Sequence, residues 1–231
     1  MASIIDENFE GTGYEETWAE TVTAGNTLDE DAAIPGTPPT GSGSQCLKAI
    51  FAVATSAFAE QTKTNQNISY VRYYLYVETE GLADGHIITL VNLRTTTGTF
   101  ICAVQVGQNA GVLQARYNYY SSGAYQTTAW VNINIAQWYR LEFKYDLTNM
   151  LWEWKIDGVS QTSGSLAAAT YTPGRMRIGG IQTTVTGTTT LYQELVVWDD
   201  TNWVGEESAG ISGGSLIAGG RGSLIAGGLI I

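Results

Sequence analysis

The chain has 231 residues, enough for one domain of about 200 residues and a short extension. Its 22 acidic and 11 basic residues give a net charge of -11, which argues against nucleic acid or an anionic membrane surface as a direct partner. With 27 Gly, 13 Tyr, 7 Trp and only 14% charged residues, the composition is typical of an all-β domain with many turns.

No targeting or membrane segment is predicted. Residues 1–7 contain neither a basic region nor a long apolar run, so no signal peptide is expected and synthesis is placed in the cytoplasm. No stretch reaches the roughly 20 apolar residues of a membrane span. Without an export signal, Cys46 and Cys102 are expected to be reduced, and Cys102 alternates with apolar residues as a buried thiol would. A disulfide between them is the alternative.

Period-two alternation dominates the chain and predicts strands. Two stretches break it. Residues 24–44 contain most of the prolines and are predicted to form a long surface loop, and residues 52–60 could form a short helix. In chain order, the predicted strands cover residues 71–77, 86–93, 99–106, 112–120, 125–135, 138–145, 151–156, a return strand from 159, 175–181 and 191–198. About ten to twelve strands without βαβ alternation predict a two-sheet antiparallel β-sandwich.

The clearest hairpin shows which side chains should face the core. Residues 138–145 alternate Tyr139, Leu141, Phe143 and Tyr145 with charged residues, so these four are predicted to point inward. Residues 151–156 place two tryptophans and an isoleucine on one face, and the Asp-Gly pair that follows predicts a tight turn.

Four segments carry a family likeness. Residues 6–11 read DENFEG, residues 137–146 read QWYRLEFKYD, residues 152–159 read WEWKIDGV, and residues 192–198 read YQELVVW. This ordered set resembles the jelly rolls of concanavalin A-like lectins and glucanases and of laminin G-like domains, over about residues 1–205. The resemblance implies a lectin/glucanase jelly roll, whose members bind glycans, cleave them or serve as building blocks.

The sequence predicts that the chain is not an enzyme. Glucanases of this superfamily carry paired glutamates in an E-x-D-x-x-E pattern, which places two carboxyl groups about 5–5.5 Å apart. The chain lacks this spacing, and His86 is its only histidine, so a lyase-like site of His with Tyr and Arg or Gln is also not expected. No serine has an obvious base, and the adjacent Asp199 and Asp200 should point to opposite faces. A polysaccharide-cleaving enzyme remains a remote alternative.

Aromatic residues around one hairpin are the candidate glycan site. Sugars stack their apolar faces on aromatic rings, and jelly rolls that bind sugars present such rings on a concave sheet or at loop tips. The candidates are Tyr119, Tyr120, Tyr125 and Trp130, with Tyr120 and Tyr125 beside the turn at residues 121–123. The alternative is that these residues are ordinary strand formers and cross-strand pairs.

The resemblance also implies a structural Ca²⁺ between the N-terminal segment and the late acidic strand. The matching positions are Glu10 and, on the strand, Glu194 or Asp199. Ca²⁺ takes six to eight oxygen ligands, so backbone carbonyls and water would complete the set. Solvated surface carboxylates are the alternative, and no other cofactor is predicted.

The last eighteen residues repeat with a period of eight. Residues 214–220 read GSLIAGG, residues 222–228 repeat them, and a third start follows at 229–231. Burying the large aliphatic side chains of this tail would contribute on the order of 10–20 kcal/mol, whereas ordering its backbone costs roughly 1–2 kcal/mol per residue. The tail is therefore expected to order only against a partner surface. The predicted assembly residues are Leu216, Ile217, Leu224, Ile225, Leu229, Ile230 and Ile231.

Together these features predict a jelly-roll domain at residues 1–205, a linker at 206–213 and an assembly tail at 214–231. The predicted function is structural and non-enzymatic: a virion component, as in capsid decoration or a phage tail, or another extracellular-structure component. The tail would associate subunits into a homo-oligomer or with other structural subunits. The alternative is a carbohydrate-binding module that recognises glycans through exposed Tyr and Trp.

Overall fold

A computed structural model describes residues 3–10, 14, 17–168, 171–182 and 187–205 of the chain. All regular elements of these residues are β-strands, which confirms the predicted all-β class. The linker at 206–213 and the tail at 214–231, with its seven assembly residues, lie outside the described residues, so the predicted domain organisation stays a prediction.

The described part of the chain contains sixteen strands. They are β1 (Ile5–Glu7), β2 (Ala19–Val22), β3 (Thr27–Ala33), β4 (Gln45–Phe51), β5 (Thr55–Thr62), β6 (Ile68–Thr79), β7 (Ile87–Arg94), β8 (Phe100–Asn109), β9 (Val112–Ser121), β10 (Ala124–Thr127), β11 (Val131–Asn132), β12 (Trp138–Asp146), β13 (Leu151–Ile156), β14 (Val159–Ser165), β15 (Arg175–Gln182) and β16 (Thr189–Asp199).

The strands form two antiparallel sheets. Sheet A has the order β14-β13-β12-β6-β16-β4-β3, and β1 also pairs with β16. Sheet B has the order β10-β9-β8-β7-β15-β5-β2, and β11 also pairs with β9. Each sheet contains strands from early and late parts of the chain, so several neighbouring strands of a sheet are far apart in sequence.

The core lies between the two sheets and follows the predicted alternation. Tyr139, Leu141, Phe143 and Tyr145 all point into it, as predicted. Sheet B contributes the matching layer from β7, β8, β9 and β15. Since every second residue of a strand faces the core, the residues between them are fixed on the outer faces.

Two predicted breaks in the strand pattern are wrong. The segment predicted as a long loop contains β3, which pairs with β4 from Thr27 opposite Ile50 onward, and its prolines all follow the strand. The segment that could be a helix contains most of β5, which pairs with β15 on one side and β2 on the other. Pairing on both edges outweighs the helix propensity of its alanines.

Both cysteines are free, buried thiols, as expected from the sequence. Burial raises the pKa of Cys102 to about 12. Burial likewise raises the pKa of Cys46 well above its ordinary value.

Candidate functional site

Polar side chains occupy neighbouring positions on the outer face of sheet B. Thr89 lies opposite Gln105, and Gln105 lies opposite Arg116. The next row places Asn92 and Asn118 on either side of β8. The residues that alternate with them on β8 and β9 belong to the core cluster, so this polar set points away from the core.

A groove of about 240 Å³ opens on this face. It is lined by Thr89, Phe100, Gln105, Asn118 and Tyr125. Gln105 is held at its base, because its amide nitrogen donates to Thr89 Oγ1 at 3.3 Å and its oxygen accepts from Arg116 Nε at 2.9 Å. The buried Oδ1 of Asn118 has no hydrogen-bond partner among the described residues. A buried acceptor without a partner is costly, and a ligand hydroxyl would satisfy it.

Aromatic rings stand at two sides of the groove. Tyr125 is 52% exposed and packs edge-on against Phe100 and Tyr120, with ring centroids 5.4 and 5.3 Å apart. Tyr171 covers Tyr120 at 4.6 Å, so Tyr125 is the ring that remains open. Trp130 lies over the Arg116 guanidinium at 4.3 Å and extends the aromatic surface beyond Gln105.

The predicted residue Tyr119 lies on the opposite side of sheet B. It stacks on Trp152 with centroids 4.4 Å apart and on Tyr117 at 5.6 Å, so other aromatic rings cover it. It lines a larger cavity of about 330 Å³ between the sheet edges, together with Trp154 and Gln161. That cavity offers tryptophan and tyrosine rings already packed on one another, and Tyr119 is therefore separate from the groove.

The structure thus brings Tyr120, Tyr125 and Trp130 to one face and adds polar residues that the sequence analysis missed. Gln105 and Asn118 are the most important of these, since both line the groove. A signal was available: each is a polar residue at an outward position of a predicted strand. An outward polar residue alone does not indicate a binding site. Only the strand order shows that these two side chains share one groove.

Arginine is concentrated on this face. Arg175 and Arg177 both pair with Glu60, at 2.9 and 2.7 Å. Burial would raise the pKa of Glu60, but these hydrogen bonds and charges hold it below its ordinary value. Burial, and next the positive charge of Arg177, lower the pKa of Arg94 to about 10. Burial also lowers the pKa of Arg116.

A second polar site lies at Glu194, on β16. Glu194 is fully buried, and apart from the Leu195 amide no described residue is placed to donate a hydrogen bond to its carboxylate oxygens. Burial, and next the negative charges of Glu10 and Glu7, raise its pKa to about 9, which the Leu195 amide offsets only in part. A buried carboxyl beside two other carboxyls is stable when it is protonated or when a cation neutralises it.

The backbone near Glu10 and Glu194 is unusual. Glu10 accepts hydrogen bonds from the amides of Ser44 and Gln45. Phe9 and Leu195 adopt the left-handed region, with φ of 60° and 49°. Within the described residues, no group of three or more His, Cys, Asp and Glu side chains is arranged to hold a metal. A cation here would need backbone carbonyls or water in addition, and an all-oxygen set of this kind fits Ca²⁺.

Asp199, the third predicted metal ligand, has a different place. It lies five residues further along β16, where Oδ1 accepts from the Thr201 amide at 2.6 Å and caps the following turn. Burial would raise its pKa, but the hydrogen bonds from Thr201 and its neighbours hold it below its ordinary value. The structure brings Glu7, and not Asp199, into the surroundings of Glu194.

Comparison with known proteins shows the fold. The sequence matches no protein-family model and no curated protein sequence. The structure is similar to the cellulose-induced protein Cip1, with a TM-score of 0.62, 17% identity, and coverage of 87% of this chain and 99% of that one. It is similar to the alginate lyase AlyC3, with a TM-score of 0.55, 8% identity, and coverage of 67% and 75%. It is also similar to the globular domain of T. cruzi calreticulin, with a TM-score of 0.59, 9% identity, and coverage of 87% and 89%.

The described residues therefore form a two-sheet antiparallel β-sandwich of the jelly-roll kind, the fold class that the sequence predicted. The described residues include no helix long and apolar enough to span a membrane.

The prediction that the chain is not an enzyme is wrong. It rested on a missing glutamate pair and a missing histidine cluster, yet alginate lyases have the same fold at 8% and 10% identity. The absence of one family's catalytic pattern therefore does not exclude catalysis by other residues. At this identity the likeness shows the fold and does not establish a reaction.

Proposed function

We propose that this protein binds a polysaccharide chain along the outer face of sheet B. The observation that carries the proposal is the groove, in which the exposed Tyr125 ring stands beside the buried Oδ1 of Asn118, to which no described residue donates a hydrogen bond. A sugar ring has an apolar face and a rim of hydroxyls, so it could stack on Tyr125 while its hydroxyls pair with Asn118 and Gln105. The likeness to a cellulose-induced protein and to alginate lyases is consistent with this function.

A glycan array followed by calorimetry tests the proposal. Tyr125→Ala is expected to weaken binding more than about fivefold, because truncating a central aromatic contact costs more than 1 kcal/mol. Leu151→Ala is the control, since Leu151 is 41% exposed but lies in sheet A. The same mixtures are assayed for new reducing ends, which report cleavage. Absence of glycan binding, or equal losses in both variants, contradicts the proposal.

We also propose that Glu194 and Glu10 hold a structural Ca²⁺. The support is the buried Glu194 carboxyl, which lies close enough to Glu10 and Glu7 for their negative charges to raise its pKa. The ion would neutralise this charge and tie β16 to the N-terminal segment, so Ca²⁺ should raise the melting temperature and EDTA should lower it. Glu194→Gln should abolish the Ca²⁺-dependent shift, whereas Glu153→Gln on the outer part of sheet A should keep it. If Ca²⁺ does not change the melting temperature of the wild-type protein, the proposed site is wrong.

The tail supports a second function, subunit association in a virion or another extracellular assembly. Its support is the repeat at residues 214–231 together with the last described residue, Gly205. The Gly205 carbonyl accepts from Arg72 at 2.9 Å, and its amide donates to Glu142 at 3.3 Å. Arg72 and Glu142 alternate with core residues of sheet A, so the chain reaches residue 205 on the face opposite the groove. An associating tail that continues from there leaves the groove open.

Light scattering of a variant that ends at residue 205 tests association. The full chain should form an oligomer, and the truncated chain should be a monomer. An unchanged mass would contradict the role of the tail.

A further inference from the structure

The outer face of sheet B carries an excess of positive charge in an acidic protein. Four of the eleven Lys and Arg residues of the chain lie there, namely Arg94, Arg116, Arg175 and Arg177. Within the described residues, Glu60 is the only carboxylate that forms an ion pair with any of them. One carboxylate against four guanidinium groups leaves this set with a net charge of +3, whereas the whole chain has -11.

The two arginines nearest the groove have no carboxylate partner in the described chain. Arg94 donates from Nε to Asn92 Oδ1 at 3.0 Å and from a terminal nitrogen to the Gly98 carbonyl. Arg116 donates from Nε to Gln105 and lies under Trp130, and no described residue accepts from its terminal nitrogens. Both guanidinium groups are thus hydrogen-bonded to neutral partners, and of the two only Arg94 also feels the charge of Glu60, so both can pair with a further anion.

The spacing of these cations favours a polymer over a single anion. Arg94 and Arg177 sit on β7 and β15, and Arg116 sits on β9, with the groove between them. Three strand spacings separate β15 from β9, which is roughly 14 Å. Several linked sugars are needed to cover this distance. A chain that crosses the strands would meet arginine on both sides of the groove and Tyr125 at its wall.

A neutral glycan could not form ion pairs with the arginines of this face. Guanidinium groups bind planar carboxylates and sulfate oxygens through paired N–H donors, and such charge-assisted bonds are about twice as strong as neutral ones. The charge of -11 repels an acidic polymer at long range, so the local arginines decide where it can bind.

We propose that the outer face of sheet B binds an acidic polysaccharide, whose carboxylate or sulfate groups pair with Arg94 and Arg116. This inference rests on the proposed function and names its ligand class. A carboxylated and a sulfated polymer share this chemistry, and the experiment separates them.

The test compares three ligands by calorimetry on the full chain: alginate oligosaccharides, the same oligosaccharides after carboxyl reduction, and sulfated dextran oligosaccharides. At least one acidic ligand should bind ten- to a hundredfold more tightly than the reduced one, which corresponds to a charged hydrogen bond of about 1.5–3 kcal/mol. Its affinity should fall as salt is raised. The preferred acidic ligand identifies carboxylate or sulfate as the partner.

Arg116→Gln should remove most of this preference. Lys48→Gln is the matched control, because it deletes one positive charge from β4 of sheet A and should change the affinity less than twofold. Arg94→Gln repeats the test at a second position, and each variant is checked for an unchanged β-sheet circular dichroism spectrum.

Equal binding of the acidic and reduced ligands, or equal losses in Arg116→Gln and Lys48→Gln, would overturn the inference. Neutral binding that depends on Tyr125 would then leave the proposed function standing. If no glycan of either kind binds, both proposals fail.

Discussion

Replacing Gln193 by Leu should strongly destabilise the protein, because Gln193 joins the two sheets through their interior. It lies on β16 of sheet A and is fully buried. Its Nε2 donates to the Gly179 carbonyl at 2.9 Å, and its Oε1 accepts from the Gly179 amide at 2.6 Å. Gly179 is in β15, where the pairing with β7 shifts between Arg177 and Ile181. The Gln193 amide therefore satisfies backbone groups at an interruption of the ladder.

The size of the effect follows from the groups left unpaired. In the leucine variant, the backbone N–H and C=O of Gly179 lose their hydrogen-bond partner in the core, which costs about 1–3 kcal/mol of folding free energy for each group. The greater apolarity of leucine offsets part of this cost, so the expected loss is about 2–5 kcal/mol. Equilibrium urea unfolding followed by tryptophan fluorescence measures it. Gln126→Leu, at an exposed position of β10, should change the free energy of unfolding by less than about 0.5 kcal/mol.

A loss below about 1 kcal/mol in Gln193→Leu would refute this reasoning. It would mean that water or a backbone shift satisfies Gly179 without the glutamine.

Two further predictions concern the same core. Gly179→Ala should destabilise more than Gly111→Ala: both glycines have positive φ, of 79° and 76°, but a Cβ at Gly179 would lie 2.4 Å from a backbone carbonyl oxygen, whereas one at Gly111 would meet nothing within 4 Å. Equal losses on urea unfolding would contradict the steric argument. Cys46 and Cys102 should resist a thiol reagent in the native protein and react on unfolding, because burial disfavours the thiolate of each. Stoichiometric labelling of the native protein would contradict their placement.

The hairpin of β12 and β13 could be predicted from the sequence almost in full. Its alternation is strict, its turn is short, and its inward residues are large, so the core side chains follow directly from the period. The segment around β3 could not be predicted in this way. Its inward positions are mostly small or polar, and its strand state depends on pairing with β4.

Only the aromatic residues of the groove could be predicted from the sequence. Tyr120, Tyr125 and Trp130 stand out because they are aromatic and close to one turn. The arginines come from segments far apart in the chain, and Arg175 and Arg177 look like an ordinary solvated face when read alone. Only the order β9-β8-β7-β15 shows that they share a surface with Arg94 and Arg116. Side-chain type was visible in the sequence, whereas the juxtaposition depended on long-range strand order.

An NMR titration of the backbone amides with an acidic oligosaccharide would locate the binding surface on the protein. If the outer face of sheet B binds the ligand, chemical-shift changes should be concentrated in β7, β8, β9 and β15, with Thr89, Gln105 and Asn118 among the most affected residues and with sheet A unchanged. Tyr125→Ala should diminish these changes at every ligand concentration. Shifts centred on the cavity of Trp154 and Gln161, on the outer face of sheet A, or on no described residue would contradict the claim.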